Sequence, residues 1–368
     1  MTDQQTEQQQ LTEIRNQIDA IDAEIQSLIG KRAECAQKVA DIKTQGGKVD
    51  AVFYRPEREA QVLRTVKERN VSLLPDNEMA RLFREIMSAC LALEQPVSVA
   101  YLGPEGSYSH ASVLKQFGSS AHPVAVSTIE DVFATVEKGD ANYGIVPVEN
   151  SSEGVVKSTE YEMIHSNLTV SGEIDLAIHH CLLSKGDDIE MIRKVVAHGQ
   201  ALGQCEHWLK NNMPWAELEA VDSNALAAKL AQEDASLAAV ASEQAAALYG
   251  LQVIEAHIED QRDNTTKFWV IGKESTQQSG DDKTAMIVSI PNKSGALLDL
   301  LSCFSHRNIS LTRIISRPST DNTWDYLFFI DILGHQLEEN VAEALKEVQG
   351  KAVFYKLLGS FPTSPLEA

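Results

Sequence analysis

Asn264-Thr265-Thr266-Lys267-Phe268 places an amide and two hydroxyls directly before the apolar run Trp269-Val270-Ile271. A β-branched and aromatic run reads as a strand, so the polar groups stand at its start. Polar side chains at a strand end can line a cleft while the apolar run anchors them in a sheet. A threonine-rich loop entering a strand looks the same. Two further polar bursts follow apolar strands: Glu149-Asn150-Ser151 after Tyr143–Val148, and His198-Gly199-Gln200 after Lys194–Ala197, with Gln204 and Cys205 on the next helix. Gly103-Pro104-Glu105-Gly106-Ser107-Tyr108-Ser109 lies between a short strand and a helix, where free N–H groups make an anion site.

Cations form a second constellation near the N-terminus. Arg32 and Lys43 are eleven residues apart, about three turns, and share a helix face. Arg58 and Glu59 open a second helix. Arg15 lies on the first helix roughly 25 Å from Arg32, so it joins Arg32 in one pocket only from another chain. A solvated helical surface carries such charges too, paired at i,i+4.

These groups need elements to hold them. Ile14, Ile18, Ile21, Ile25 and Leu28 give a helical stripe between Leu11 and Lys43, ended by Gly46-Gly47. Helices follow at Pro56–Glu68 and Asp76–Glu94. One long helix and two short ones cannot bury that stripe within one chain, so an interlocked dimer or higher homo-oligomer is expected. After Pro96, β-α alternation in two halves suggests two α/β lobes around a cleft, the second beginning near Gly172 with a strand over Ile174–Leu183. Beyond a polar linker at Ser275–Asp282 the order is βαββαβ, which is ferredoxin-like. The strands there are expected at Ala285–Ile290, Ile309–Ser316, Trp324–Ile332 and Ala352–Leu358.

Length fits two or three domains: the chain has 368 residues, 43% of them hydrophobic. No apolar run reaches the roughly 18 residues of a membrane span, and the polar N-terminus carries no signal peptide. Five scattered cysteines suit reduced thiols in a cytoplasm and set aside a disulfide scaffold or zinc site. A net charge of −21 disfavours nucleic acid and anionic membrane as partners. Residues 1–95 hold 13 Lys+Arg against 16 Asp+Glu, and the remainder 19 against 37. The helical arm therefore has the cations to grip an anion by charge, while the rest must rely on N–H groups and hydroxyls.

Residues 8–95 resemble the all-helical chorismate mutases through Ile14-Arg15, Lys31-Arg32, Lys43 and Pro56-Glu57-Arg58-Glu59. The resemblance implies that Arg15 of a partner chain, with Arg32, Lys43 and Arg58, grips the two carboxylates of chorismate. It gives Glu59 a substrate hydroxyl and places Glu94 beside the ether oxygen. Arg55 stands where some members have Asp, and Cys90 and Glu94 where some have Ser and Gln. Such a rearrangement needs no nucleophile, only the right conformer and stabilised charge.

Four motifs in order resemble prephenate dehydratases: the Gly103–Ser109 loop, Val146-Pro147-Val148-Glu149-Asn150-Ser151, His198-Gly199-Gln200 with Gln204-Cys205, and Thr266-Lys267-Phe268. The third has Gly199 where Pro is common, and the fourth Lys where the family has Arg. The implied reaction removes the ring carboxylate of prephenate as CO2 and the 4-hydroxyl as water, giving phenylpyruvate. Thr266 then donates to the leaving hydroxyl. Glu149 and His198 are the titratable candidates for the proton source. Ser107, Asn150, Ser151, Gln200, Gln204, Lys267 and Phe268 complete the implied substrate contacts. The last segment resembles an ACT regulatory domain through Asn292–Leu297 and Leu311–Pro318. That implies phenylalanine as effector, with contacts at Gly295, Ala296, Leu297, Arg313, Ser316 and Arg317. Ile315 stands where that family commonly has Glu.

The expectation is thus a cytoplasmic, cofactor-free, metal-free isomerase and carbon–oxygen lyase of phenylalanine biosynthesis. Its fold would be multidomain: an all-α mutase at 1–95, a two-lobed α/β dehydratase resembling periplasmic binding proteins at 96–275, and an α+β ACT domain at 283–368. Two other readings stay open. One is an anion- or amino-acid-responsive regulator that keeps the fold without catalysis. The other is a dehydratase whose helical arm only dimerises.

Overall fold

The stripe that begins near Ile14 lies on α1 (Asp3–Thr44), whose 42 residues make it about 63 Å long. The structure, a computed structural model, describes residues 3–44, 53–261, 263–318 and 326–366. The helix end expected at Gly46-Gly47 falls outside them. α2 (Pro56–Glu68) starts on its proline, and α3 (Asp76–Glu94) packs against both other helices. Leu63, Ala80 and Met87 are buried between α2 and α3. The stripe of α1 stays open: Ile14, Ile18, Ile21, Ile25 and Leu28 are 48–62% exposed.

The first α/β lobe is a six-stranded sheet in the order β2-β1-β3-β11-β5, with β4 added on β3. Its elements run β1 (Ser98–Leu102), α4 (Tyr108–Phe117), β2 (His122–Val126), α5 (Ile129–Lys138), β3 (Tyr143–Asn150), β4 (Gly154–Val155), α6 (Lys157–His165) and β5 (Thr169–Ala177). The second lobe comprises β6 (Cys181–Ser184), β7 (Lys194–His198), α7 (Gly199–Gln204), α8 (Glu206–Asn212), β8 (Glu217–Val221), α9 (Asn224–Glu233), β9 (Leu237–Ala241), α10 (Glu243–Tyr249) and β10 (Gln252–Glu255). Its sheet order is β10-β6-β9-β7-β8. The chain then returns as β11 (Thr265–Gly272), central in the first sheet between β3 and β5.

Two connections therefore cross between the lobes, residues 178–180 and 256–264. This corrects the expected boundary near Gly172 and the expected single strand over Ile174–Leu183. β5 stays in the first sheet, paired with β11, and β6 opens the second. An apolar run does not reveal where it leaves one sheet for another. Helix ends follow local chemistry: Thr128 and Ser223 accept from backbone N–H groups as N-caps of α5 and α9, and Gly139 ends α5 in the left-handed conformation.

The last segment is β12 (Asp282–Ser289), α11 (Ala296–Ser305), β13 (Leu311–Pro318), β14 (Tyr326–Leu333), α12 (Glu339–Lys351) and β15 (Phe354–Pro362), with strand order β13-β14-β12-β15. The strand expected from Trp324 begins at Tyr326; Trp324 lies outside the described residues. One sheet face packs on α11 and α12. The other lies on the first lobe, where Ala285, Ile287, Phe329, Leu358 and Phe361 share one core with Val146, Val148, Trp269 and Ile271. Truncating one such buried phenylalanine to alanine typically costs about 3–5 kcal/mol. At the crossing of β15 over β5, a Cβ on Gly359 would sit 2.3 Å from the Val170 carbonyl oxygen, so only glycine allows the approach. The linker is gripped by Arg64 of α2, whose guanidinium donates to the carbonyls of Ser279 (3.3 Å), Asp281 (2.8 Å) and Thr363 (3.2 Å). Lys67 reaches the Pro365 carbonyl at 3.1 Å, and Leu366 packs on the Leu63–Ala80–Met87 cluster.

Candidate active sites

A cavity of about 530 Å³ opens between the two α/β lobes. β3 and β11 run antiparallel, with Asn150 directly opposite Thr266, so both side chains reach its wall. The Asn150 carbonyl oxygen accepts from the N–H groups of Ser152 (2.9 Å) and Glu153 (3.0 Å). That fixes the amide orientation and turns its NH2 to Thr266 Oγ1 and Asn264 Oδ1, both at 2.8 Å. Because Thr266 Oγ1 accepts from Asn150, its own proton remains free to donate into the cavity.

Ser107, Ser223 and Ser242, the N-caps of α4, α9 and α10, line the same cavity, as does His198, the N-cap of α7. The N-terminal ends of α4 and α9 thus face the space with their dipoles and free N–H groups. Among the described lining residues there is no Lys or Arg. Gln200 and Gln204 line the wall, and Phe268 lies two residues along the strand from Thr266, on the same face. Sequence reasoning missed His180 and gave Tyr108 no role of its own; Asn264, read as the amide ahead of the strand, also lines the cavity. The His180 ring is clamped between Tyr108 Oη (2.9 Å) and Gln204 Oε1 (2.7 Å). Burial pulls its pKa below the ordinary value, against the Gln204 bond, so the ring is neutral near neutral pH.

The helical arm carries a second polar site. Lys43 Nζ lies 3.9 Å from a Glu94 carboxylate oxygen. Burial raises the Glu94 pKa, opposed by the charges of Lys43 and Arg32. Burial also lowers that of Lys43, opposed by Glu94. Glu59 is held by Arg84 of α3, a buried arginine that sequence reasoning missed. Burial raises the Glu59 pKa, while Arg84 and then Arg32 pull it down. Arg32 therefore lies within the field of both carboxylates. Cys90 is buried on α3, Arg58 is exposed, and Arg55 pairs with Glu57 at 3.5 Å. Arg15 is exposed beside the open apolar stripe and is not brought to this cluster by its own chain.

Family models for chorismate mutase type II, prephenate dehydratase and the ACT domain match residues 14–95, 99–276 and 284–350. A bifunctional chorismate mutase/prephenate dehydratase of Pseudomonas aeruginosa is 46% identical over 98% of this chain and 100% of its own length. The chain belongs to the bifunctional chorismate mutase/prephenate dehydratase family. A relative of the same name from Aquifex aeolicus is 43% identical over 98% of this chain and 99% of its own. A solved prephenate dehydratase from Arthrobacter aurescens, in complex with L-Phe, superposes with a TM-score of 0.67 at 29% identity, covering 74% of this chain and 91% of that one. The protein is thus a two-activity enzyme, mutase and dehydratase, with an ACT domain. No helix among the described residues is long and apolar enough to cross a membrane.

The dehydratase and ACT sheets meet behind the cavity, and this redistributes several expected site residues. Glu149 and Lys267 do not reach the dehydratase cavity. Each neighbours a cavity residue on its strand, and alternate strand residues face opposite ways. Glu149 Oε2 accepts from Arg313 Nε of the ACT domain at 3.1 Å. Lys267 is held by Asp175 (2.8 Å) and Glu173 (3.3 Å); burial would lower its pKa, but these carboxylates outweigh it and raise it. Glu173 also pairs with Lys283 of the ACT domain. Ser151 does not line the cavity either; its hydroxyl accepts from the Thr265 N–H at 3.0 Å, fastening the β3 end to β11.

The expected effector set is split in the same way. Arg313 is buried, its guanidinium 5.5 Å over the Trp269 ring and 3.4 Å from Glu160, which also pairs with Arg317. Burial raises the pKa of Glu160, against the pull of both arginines. Gly295, Leu297 and Ser316 are exposed elsewhere on the ACT surface, and Ala296 is buried at the start of α11. Asp331, paired across the strands with Arg313, is fully buried, and burial pushes its pKa up to about 6.

Proposed function

We propose that the cavity between the lobes is where prephenate loses CO2 and water. The observation that carries this is the cross-strand pair Asn150–Thr266, whose network leaves one hydroxyl proton aimed at the bound substrate. Thr266 donates to the departing 4-hydroxyl, and negative charge on the substrate is met by the ends of α4 and α9 rather than by cations. Of the two titratable candidates for the proton source, only His198 lines the cavity, and it takes that role. Ser107, Gln200, Gln204 and Phe268 hold the substrate, joined by Asn264, while His180 positions Gln204.

In the mutase, Arg32, Lys43, Arg58, Glu59 and Glu94, with Arg55 and Cys90 at the margin, form one chain's share of a site that Arg15 of a partner completes. The open stripe from Ile14 to Leu28 supports a homodimer interlocked along α1. Phenylalanine binds at the ACT domain near Gly295-Ala296-Leu297, with Ser316 as a further contact, and lowers dehydratase turnover. The three units span 1–95, 96–275 and 283–368, and the enzyme works in the cytoplasm. The test is to supply chorismate to the purified protein and follow prephenate and phenylpyruvate with and without phenylalanine. Prephenate followed by phenylpyruvate, the latter slowed by phenylalanine, is the expected result. Phenylpyruvate formation from supplied prephenate with no consumption of chorismate would reduce the helical arm to a dimerisation device.

A further inference from the structure

The two connections that cross between the dehydratase lobes bring together three side chains that neither activity uses. His179 lies in the 178–180 crossing, and His257 and Glu259 in the 256–264 crossing. His179 Nδ1 is 2.9 Å and His257 Nδ1 3.5 Å from the same Glu259 oxygen, Oε1, and the ligand atoms all lie within 4.8 Å of one another. Four-coordinate zinc, with bonds of roughly 2.0–2.1 Å, spaces its ligand atoms roughly 3.3–3.5 Å apart. Small side-chain rotations close the difference.

We propose that His179, His257 and Glu259 bind one divalent ion of the zinc class, clamping the two interlobe crossings together. Two imidazole nitrogens and one carboxylate oxygen suit zinc, cobalt or nickel rather than magnesium or calcium. The set is pre-oriented. Glu259 is buried, and its second oxygen accepts from the His180 N–H at 2.9 Å, which leaves Oε1 facing the two rings. His257 adopts φ 56°, a left-handed conformation unusual for a side-chain-bearing residue, and the next N–H, of Ile258, is held by the His180 carbonyl at 2.9 Å. The two imidazoles stand edge-on, 4.4 Å apart at 78°.

The site is also reachable. The three residues line a cavity of about 510 Å³ with Trp208 and Glu255, so a fourth position is open to water or to the Glu255 carboxylate. Because Glu259 also holds the backbone of His180, the clamp stands one residue from the dehydratase cavity.

The experiment titrates zinc chloride into full-length protein carrying Cys35→Ser, which removes the one exposed thiol. Binding is read by competition with a chromophoric chelator and by the visible spectrum of the cobalt-loaded protein. One ion per chain is expected. His179→Ala and His257→Ala should each weaken binding by at least roughly 100-fold and abolish the four-coordinate cobalt bands. Zinc should raise the melting temperature of the parent but not of either variant, while a magnesium control leaves all of them unchanged. Zinc binding that survives in the His179→Ala/His257→Ala double variant, with its circular dichroism intact, overturns the proposal. So does failure of the parent to take up any ion, which leaves the crossings held by their hydrogen bonds alone.

Discussion

In the helical arm, Arg32, Lys43 and the buried Arg84 act on two carboxylates, Glu59 and Glu94, whose pKa values burial has raised, and the long helix that carries Arg15 leaves its apolar stripe open. In the dehydratase cavity no cation appears among the described lining residues; hydroxyls, amides and helix ends stand there instead. Both substrates are dianions. The first arrangement concentrates charge, and in the proposed assignment Arg15 of a second subunit completes it. The second spreads partial charges over a rigid sheet and two lobes. An arm of that kind would hold an anion by force of charge, and a framed cavity by the direction of its donors.

That contrast breaks first at Thr266. Thr266→Ala should lower dehydratase kcat by roughly 10²–10³, the scale of one lost transition-state donor, and leave the mutase untouched. Equal loss of both activities in a steady-state assay would mean misfolding instead. Next, Arg15→Ala and Arg32→Ala should each cut mutase turnover by about 10² or more and spare the dehydratase. Mixing the two variants should restore one working site in each mixed dimer. No recovery, with subunit exchange shown by mass spectrometry, would place Arg15 outside the site.

Smaller effects sharpen the comparison. Burial raises Asp331 to about 6, so the native state binds a proton between about pH 4 and 6 that the unfolded chain has released. Stability conferred by protonation is present at low pH and is lost as pH rises through 6. Asp331→Asn should therefore stabilise the protein by about 2–3 kcal/mol at pH 8 and by almost nothing at pH 4, read by denaturant unfolding. The smallest effect is at Glu94. A raised pKa keeps more of its carboxyl protonated and able to donate to the ether oxygen of chorismate. Mutase turnover should rise several-fold as pH falls through that pKa, and Glu94→Gln should flatten the profile while retaining activity at neutral pH. A profile unchanged by that substitution removes Glu94 from the site.

Much of this was readable in the residues themselves. α5 and α9 begin where Thr128 and Ser223 dictate and α5 ends at Gly139, because capping is local chemistry. Thr266 and Asn150 were legible as polar ends of apolar strands. Glu149 and Lys267 were misplaced by treating a motif as one surface; strand alternation sends Glu149 away from Asn150 and Lys267 away from Thr266, and that rule was available from the sequence. Arg84, His180 and the His179–His257–Glu259 group were not legible. Each owes its place to a partner distant in the chain, and the scattered cysteines drew attention away from nitrogen ligands. The division of Arg313 and Arg317 from Gly295 likewise depends on which sheet face meets the first lobe.

Leu366 and its neighbours reach back to α2 and α3, and this sets an order of events on the ribosome. The apolar seam between those helices is complete only when residues 363–366 arrive, some 270 positions after Glu94 has been joined to the chain. At about 5–20 residues per second that is a wait on the order of 15–50 s. Through that interval the nascent mutase carries two unsealed surfaces, this seam and the stripe of α1. Chaperone capture or premature pairing with a neighbouring nascent chain on the same message would fall within this interval, so the helical arm is finished only after the ACT domain that follows it.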